Sequence, residues 1–271
     1  MTPEPVLGAT PQAATVRLVT RGVAGAAEPI NLPALPAEAP LVSCLMVTRD
    51  RAPQAFLAVG CFLRQTYPQR ELVIVDDGAD DDLARMVAGL ADERIRMVRR
   101  PDRGETLGEL RNIAVGLARG QLVCQWDDDD LSDPDRLWWQ VCVLTDSAVS
   151  ACILERWTML WASGPRVAVG RRRLWEGSMV ARMADLPAYP PERRGEDSAV
   201  AQALVDAGTI ALLDLPALYV YVIHGRNTFD GAHFDAHWEA ASHRFEDPQA
   251  ALAMLRSRVP VSQAVALATR A

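Results

Sequence analysis

Three short, largely apolar runs constrain the fold of this chain more than any other feature: LVSCLMV at 41–47, ELVIVDD at 71–77 and QLVCQW at 121–126. Each has the length of one strand and lacks the apolar–polar alternation of a half-solvated strand. Each therefore predicts a strand covered on both faces, as in a parallel sheet. Parallel neighbours need crossover connections, usually helical. Pro53 suits the first turn of a helix running towards Gln65, and a second helix is expected over about 80–91. RIRMV at 94–98 reads as another strand. Leu107, Leu110, Ile113, Ala114 and Leu117 then recur at helical spacing until Gly120 stops them. This alternation predicts an α/β fold with a mostly parallel central sheet flanked by helices. Ligands of such sheets bind beyond the carboxyl ends of the strands. Thr48–Arg51, Asp76–Asp77 and Asp127–Asp130 should therefore surround one crevice.

The remainder is less regular. A helix is expected over 134–146, strand-like segments at 150–161 and 166–170, and a helix at 197–207 ending at Gly208. Strands near 210–213 and 217–223 follow, and helices close the chain. Residues 1–40 are rich in Ala and Pro and read as an extension with one short strand at Thr15–Thr20.

Composition limits the function classes. The 271 residues are 49% hydrophobic and 23% charged, as expected of a soluble globular protein, and the formal net charge of −7 disfavours nucleic-acid binding. Cys44, Cys61, Cys124, Cys142 and Cys152 are widely spaced without a C-x-x-C pair, so buried, reduced thiols are expected. No basic region precedes an apolar core at the N-terminus, and the most apolar stretch, Ile210–Ile223, is interrupted by Asp214 and Pro216. These features lead us to expect a cytoplasmic protein without a transmembrane segment, and peripheral membrane attachment is compatible with them.

The most informative stretch is WDDDDLSDPDRL at 126–137. Four aspartates after a buried strand repel one another, and a divalent cation with oxygen ligands, Mn²⁺ or Mg²⁺, would relieve that repulsion. Asp127 and Asp129 are candidates for the metal and ribose contacts, with Asp130 in support. Asp133 before Pro134 reads as a helix N-cap. A run of acids can equally be a solvated turn, and its place after a buried strand is what favours a site.

VSCLMVTRDR (42–51), QTYPQRELVIVDDG (65–78), LRNIAVGLARG (110–120) and WDDDDLSDPDRL occur in an order and spacing that resemble family 2 glycosyltransferases. The resemblance covers about residues 41–225. It implies the GT-A fold: a central sheet flanked by helices, a small second sheet, C-terminal helices, and nucleotide-binding and acceptor-binding halves. The chain then divides into the extension 1–40, a catalytic domain 41–225 (41–137 for the nucleotide, 138–225 for the acceptor) and a helical segment 226–271. Two departures occur. The first strand ends in VTRDR where the family usually has a proline and a Tyr-Asn pair, and Ala79 replaces a serine after VDDG.

The resemblance implies inverting transfer of a sugar from a nucleotide diphosphate sugar, foremost a UDP-sugar, to a hydroxyl of a glycan, lipid-linked or small-molecule acceptor. Self-association stays open. On the donor side it implies Asp77 at the nucleobase beside Asp76, Thr48 and Arg51 lining the nucleoside pocket, Arg111 towards the nucleotide, and Asp127 and Asp128 at the donor. In GEDSAVAQAL (195–204), Asp197 matches the general base and Glu196 an orienting group. Acids at a helix start also complement its dipole. Trp175, Gly177 and Ser178 in RRRLWEGSMV (171–180) match positions facing the donor sugar and acceptor, although Trp175 could equally be core. Arg171–Arg173 suit either phosphates or a surface turn. Asp129 and His224, the latter in YVYVIHGRNT (219–228), match metal ligands.

Rival enzyme classes lack their signatures. The first strand–helix turn carries no G-x-G-x-x-G, no G-x-x-x-x-G-K-[ST] occurs, and VTRDR is not the Gly-rich loop of a nucleotidyltransferase. A non-catalytic nucleotide- or glycan-binding member of the same fold is the alternative. Retention of both Asp129 and Asp197 argues against it, because binding alone needs no base.

Overall fold

The computed structural model describes residues 7, 13–32, 34–35, 37–101 and 103–269. Of the Ala/Pro-rich extension, residues 1–6, 8–12, 33 and 36 lie outside that description. In chain order the elements are β1 (Ala13–Thr20), β2 (Val23–Asn31), β3 (Val42–Thr48), α1 (Ala52–Leu63), β4 (Arg70–Asp76), α2 (Asp82–Ala88), β5 (Ile95–Arg99) and α3 (Leu107–Leu117). Then come β6 (Leu122–Gln125), β7 (Leu131–Ser132), α4 (Arg136–Asp146), β8 (Ala151–Leu154), β9 (Thr158–Trp161), β10 (Arg166–Val169), β11 (Trp175–Arg182) and α5 (Glu196–Ala207). The chain finishes with β12 (Thr209–Asp214), β13 (Tyr219–Ile223), α6 (Gly231–Glu239), β14 (His243–Arg244), α7 (Pro248–Arg256) and α8 (Val261–Ala268).

The larger sheet has the order β2-β1-β12-β8-β11-β6-β3-β4-β5, and the smaller one β14-β10-β9-β13-β7. Strands β6, β3, β4 and β5 pair in parallel, as the largely apolar runs of β6, β3 and β4 predict. Their side chains alternate between two cores. Cys44, Met46, Leu72, Ile74 and Cys124 pack with Ala55, Val59 and Phe62 of α1 and Leu137 of α4. Leu45, Val73, Val75 and Val123 pack on the other face with Leu110 and Ala114 of α3 and Val200 and Leu204 of α5. Local signals set the helix starts: Pro53 lies in the first turn of α1, and Thr106 and Glu109 form a reciprocal capping box on α3.

Several expectations need correction. Strand β11 occupies the middle of the large sheet, antiparallel to β6 and β8, although RRRLWEGSMV showed no strand signal. The register of its pairing shifts between Trp175 and Val180, and that irregularity hides the alternation. The segment 150–161 splits into β8 and β9, which belong to different sheets. The N-terminal strand is joined by β2, forming a hairpin on the edge of β12. Helix α4 starts at Arg136 with Asp135 as its N-cap residue, so Asp133 does not cap it. The Asp133 carboxylate instead accepts from Asp135 N–H at 2.8 Å and pairs with Arg258 at 2.7 Å. All five cysteines are buried and free.

Two features place the site. The run Asp127–Asp130 links β6 in the large sheet to β7 in the small one, which pairs with β13. Arg136, fully buried, staples this junction by donating to Gln125 O at 3.0 Å and Ser132 Oγ at 2.9 Å, with its guanidinium 4.9 Å from the Tyr219 ring centre. Among the described residues no helix is long and apolar enough to cross a membrane.

Candidate active site

A cleft of about 580 Å³ opens where the two sheets meet, and its wall includes Thr48, Arg51, Asp77, Arg111, Asp127–Asp130, Trp175, Gly177, Glu196 and Asp197. Strand β3 brings Thr48 to it, the turn after β4 brings Asp77, and the first turn of α5 brings the acid pair. Residues far apart in sequence are thus collected at the carboxyl edge of the parallel strands.

Each aspartate of the run has its own partners. Asp127 meets Arg111 Nη2 at 3.1 Å and the Tyr219 hydroxyl at 3.1 Å. Asp128 accepts from Thr48 Oγ1 at 2.6 Å and lies 3.4 Å from Arg51 Nη1. Asp129 Oδ2 receives Arg51 Nη1 at 2.7 Å and lies 3.1 Å from His224 Nε2. Asp130 is bonded to the Tyr219 hydroxyl and accepts from Val222 N–H at 2.8 Å. Burial pushes the Asp128 carboxyl up to about 7, reinforced by the charge of Asp129 and opposed by Arg51. Burial likewise raises Asp127 against the pull of Arg111, and holds Asp130 well above the ordinary carboxylate range.

Arg111 joins this wall to the opposite one. Its Nε donates to Glu196 at 2.8 Å while Nη2 holds Asp127. Burial alone would weaken its hold on its proton, and the charges of Asp127, Glu196 and Asp197 more than reverse that. Glu196 is itself raised by burial, against the opposing charge of Arg111. Asp197 accepts from Gln125 Nε2 at 3.3 Å and from Ser198 N–H at 2.8 Å. Gly177 keeps this centre open. A methyl group there would lie 2.9 Å from Asp127 Oδ2 and 3.1 Å from the Tyr219 hydroxyl. Trp175 stacks on Trp157 with ring centres 4.0 Å apart, and its indole N–H is buried without a hydrogen-bond partner.

Not every expected residue reaches the cleft. Asp76 accepts from Gly78 N–H at 2.8 Å and from Arg99 Nε at 3.2 Å, so its carboxylate shapes the turn that presents Asp77. Ser178 is fully buried, donating to Trp175 O at 2.7 Å and accepting from Leu154 N–H at 2.8 Å. It fixes the irregular pairing of β11 and is too deep to meet a ligand. His224 opens onto a small adjoining cavity, with Asp129 on the wall between that cavity and the main cleft.

Sequence reasoning missed Gln125 and Tyr219, and placed Arg49 at the crevice only as part of Thr48–Arg51 without a partner. Gln125 was visible as the one polar side chain inside an apolar strand, and Tyr219 is the only hydroxyl reaching both Asp127 and Asp130 among the described residues. Arg49 pairs with Asp77 at 3.2 Å, placing a cation at the expected nucleobase end.

Among the described residues no group of three or more His, Cys, Asp or Glu side chains is arranged to hold a metal ion. The nearest arrangement is Asp129 with His224, an oxygen–nitrogen pair suited to Mn²⁺ or Mg²⁺. The Arg226 N–H donates to His224 Nδ1 at 3.2 Å. This selects the tautomer with the proton on Nε2, facing Asp129. For His224 to ligate through Nε2, that proton must leave and the Arg226 amide must turn away.

Residues 43–156 match the family model described as Glycosyl transferase family 2. The putative colanic acid biosynthesis glycosyl transferase WcaA of Escherichia coli (strain K12) is 37% identical over 100 residues, covering 36% of each chain. The succinoglycan biosynthesis protein ExoO of Rhizobium meliloti (strain 1021) is 33% identical over 108 residues, 40% of this chain and 30% of that one. The chain thus spans about a third of the length of these curated relatives. Among solved structures, residues 1–349 of S. aureus TarS superpose with a TM-score of 0.55 at 17% identity, over 72% of this chain and 68% of that one. The same TarS fragment in complex with UDP also gives 0.55. These likenesses establish the GT-A fold.

Proposed function

We propose, on the premise that the chain belongs to glycosyl transferase family 2 through residues 43–156, that it transfers a sugar from a nucleotide diphosphate sugar to an acceptor hydroxyl. The observation that carries this reading is the placement of two kinds of carboxylate in one cleft. The aspartate run stands on the end of β6, and Asp197 stands on the first turn of α5. The fold neighbour TarS binds UDP and UDP-GlcNAc, which favours a UDP-sugar here. Residues 41–137 form the donor half and 138–225 the acceptor half in this reading, with 1–40 and 226–271 as flanking parts.

The chemistry follows from the walls. The acceptor hydroxyl gives its proton to Asp197 as its oxygen attacks the anomeric carbon. The bond from that carbon to the diphosphate oxygen breaks, and the nucleoside diphosphate departs on the opposite face, so the configuration inverts. Gln125 and the Ser198 amide hold the Asp197 carboxylate in place for this transfer. Glu196 acts through Arg111, fixing the start of α5 against Asp127. Thr48, Arg51 and Asp77 line the nucleoside end, and Trp175 with Gly177 borders the sugar. Asp129, and His224 once its Nε2 is bare, would hold Mn²⁺ or Mg²⁺. Such an ion, when bound, offsets negative charge on the leaving diphosphate. Arg51 occupies Asp129 Oδ2 meanwhile and must yield part of that contact.

Water often replaces the acceptor slowly in such sites, so the test is a hydrolysis screen over UDP-, GDP-, CDP- and dTDP-sugars with Mn²⁺ or Mg²⁺. Release of nucleoside diphosphate from a UDP-sugar, abolished by EDTA, is expected. Absence of hydrolysis from every donor contradicts the transfer reading, and undiminished hydrolysis in EDTA contradicts its metal part.

A further inference from the structure

Six arginines line the cleft, and four are matched to carboxylates on its wall. Arg49 meets Asp77 at 3.2 Å, Arg51 meets Asp129 at 2.7 Å, Arg111 meets Glu196 at 2.8 Å and Arg173 meets Glu176 at 2.8 Å. Arg193 and Arg194 are left over. Among the described residues neither lies within salt-bridge distance of a carboxylate, Arg193 acting on Glu109 only at longer range, and both are exposed. They are adjacent in the loop ending at Gly195, whose left-handed conformation (φ 76°) turns the chain into α5, two residues before Asp197.

Aromatic side chains border Arg194. The Arg194 guanidinium lies 6.0 Å from the centre of the Phe229 ring, which stacks on His233 with centres 4.3 Å apart and an interplanar angle of 16°. Phe229 is 44% exposed, a large apolar surface for a ring that lines a cleft. An arginine with one face towards an aromatic ring keeps its in-plane N–H groups available for a planar or tetrahedral anion. The acidic floor of the cleft excludes anions unless a cation is bound there, so unpaired arginines at the rim mark a separate place where negative charge is tolerated.

We propose that Arg193 and Arg194 form an acceptor subsite for an anionic group, a phosphate or a carboxylate, on the sugar unit that presents its hydroxyl to Asp197, with Phe229 and His233 as the apolar wall. The assignment rests on the transfer reading above for its direction: donor on the aspartate side, acceptor beside α5. Two adjacent guanidinium groups suit an oxyanion because each offers paired, charge-assisted hydrogen bonds. Neutral glycans would meet the same aromatic wall without that gain.

Direct binding to the full chain tests this. Calorimetry with and without saturating UDP and Mn²⁺ compares three probes: methyl glucoside, methyl glucuronide and glucose 1-phosphate. At least one charged probe is expected to bind about tenfold or more tightly than methyl glucoside, in keeping with one or two charge-assisted hydrogen bonds. The favoured charged probe tells phosphate from carboxylate. The double variant Arg193→Ala, Arg194→Ala should lose the preference, the double lysine variant should keep most of it, and UDP affinity should stay within twofold in both. Equal binding or no binding of charged and neutral probes overturns the proposal. So does a double alanine variant that weakens UDP while leaving the probe preference intact, because the arginines would then serve the donor. Donor hydrolysis is read separately, and its failure would sink the transfer reading while the probe comparison still reports on an anion subsite.

Discussion

The two walls of the cleft are held in different ways. On the β6 side, each aspartate of the run is bonded to side chains from distant elements: Asp127 to Arg111 and Tyr219, Asp128 to Thr48, Asp129 to Arg51, and Asp130 to Tyr219. On the α5 side, Asp197 receives Gln125 at 3.3 Å and the amide of Ser198, and the arginines before it make no salt bridge among the described residues. In the proposed transfer, the wall assigned to the donor is therefore organised before any ligand arrives, at the expense of burying carboxyls, whereas the wall assigned to the acceptor keeps side chains free for its ligand. A nucleotide sugar presents a similar diphosphate in every turnover, and acceptors differ in shape, so rigidity on one side and freedom on the other suit the proposed transfer.

Among the described residues Arg111 is the one side chain that ion-pairs with both walls, and removing it should have the largest effect. Arg111→Met would strand Asp127 and Glu196 without their cation, at a cost of roughly 3–5 kcal/mol, as for other broken buried pairs. Urea unfolding should show that loss, and a variant within 1 kcal/mol of wild type would mean that the walls are not coupled through this residue.

Gly177→Ala probes the crowding of the donor wall alone. The added methyl must displace Asp127 or the Tyr219 hydroxyl, at a cost of about 1–3 kcal/mol, and donor hydrolysis should fall with it. Unchanged thermal stability and rate would show that this wall yields as easily as the α5 side.

The smallest effect is on pH dependence. The folded Asp128 carboxyl titrates at about 7, above the ordinary value of 3.8, so the native state holds this proton more tightly than the unfolded chain does. By linkage, its contribution to stability falls as pH rises from about 4 to about 7, the reverse of a salt-bridged aspartate. In metal-free buffer the urea midpoint of Asp128→Asn should be less sensitive to pH across that window than wild type. An equal slope would remove Asp128 as the source.

The same division marks what the sequence revealed. Strands β3, β4 and β6 were legible because burial on both faces leaves an unbroken apolar run, and their ends located Thr48, Asp77 and Asp127–Asp130 correctly at one edge. Strand β11 was not legible, since its register shift and the turn held by Ser178 interrupt any period. Asp76 and Asp77 are neighbours on an extended chain, so their side chains diverge and only one faces the cleft. The pairings of Arg111 with Glu196, 85 residues apart, and of Tyr219 with Asp127, 92 apart, depend on how α5 and β13 dock, which no local pattern encodes.

Asp197→Asn separates the work of the two walls. Two quantities are measured on one sample: the rate of UDP-sugar hydrolysis with Mn²⁺ present, and UDP affinity by calorimetry. A carboxamide keeps the shape and cannot take the proton, so the rate should fall by on the order of a hundredfold or more while UDP affinity stays within about twofold. A full-rate Asp197→Asn enzyme, or one that has lost its hold on UDP, would contradict the account.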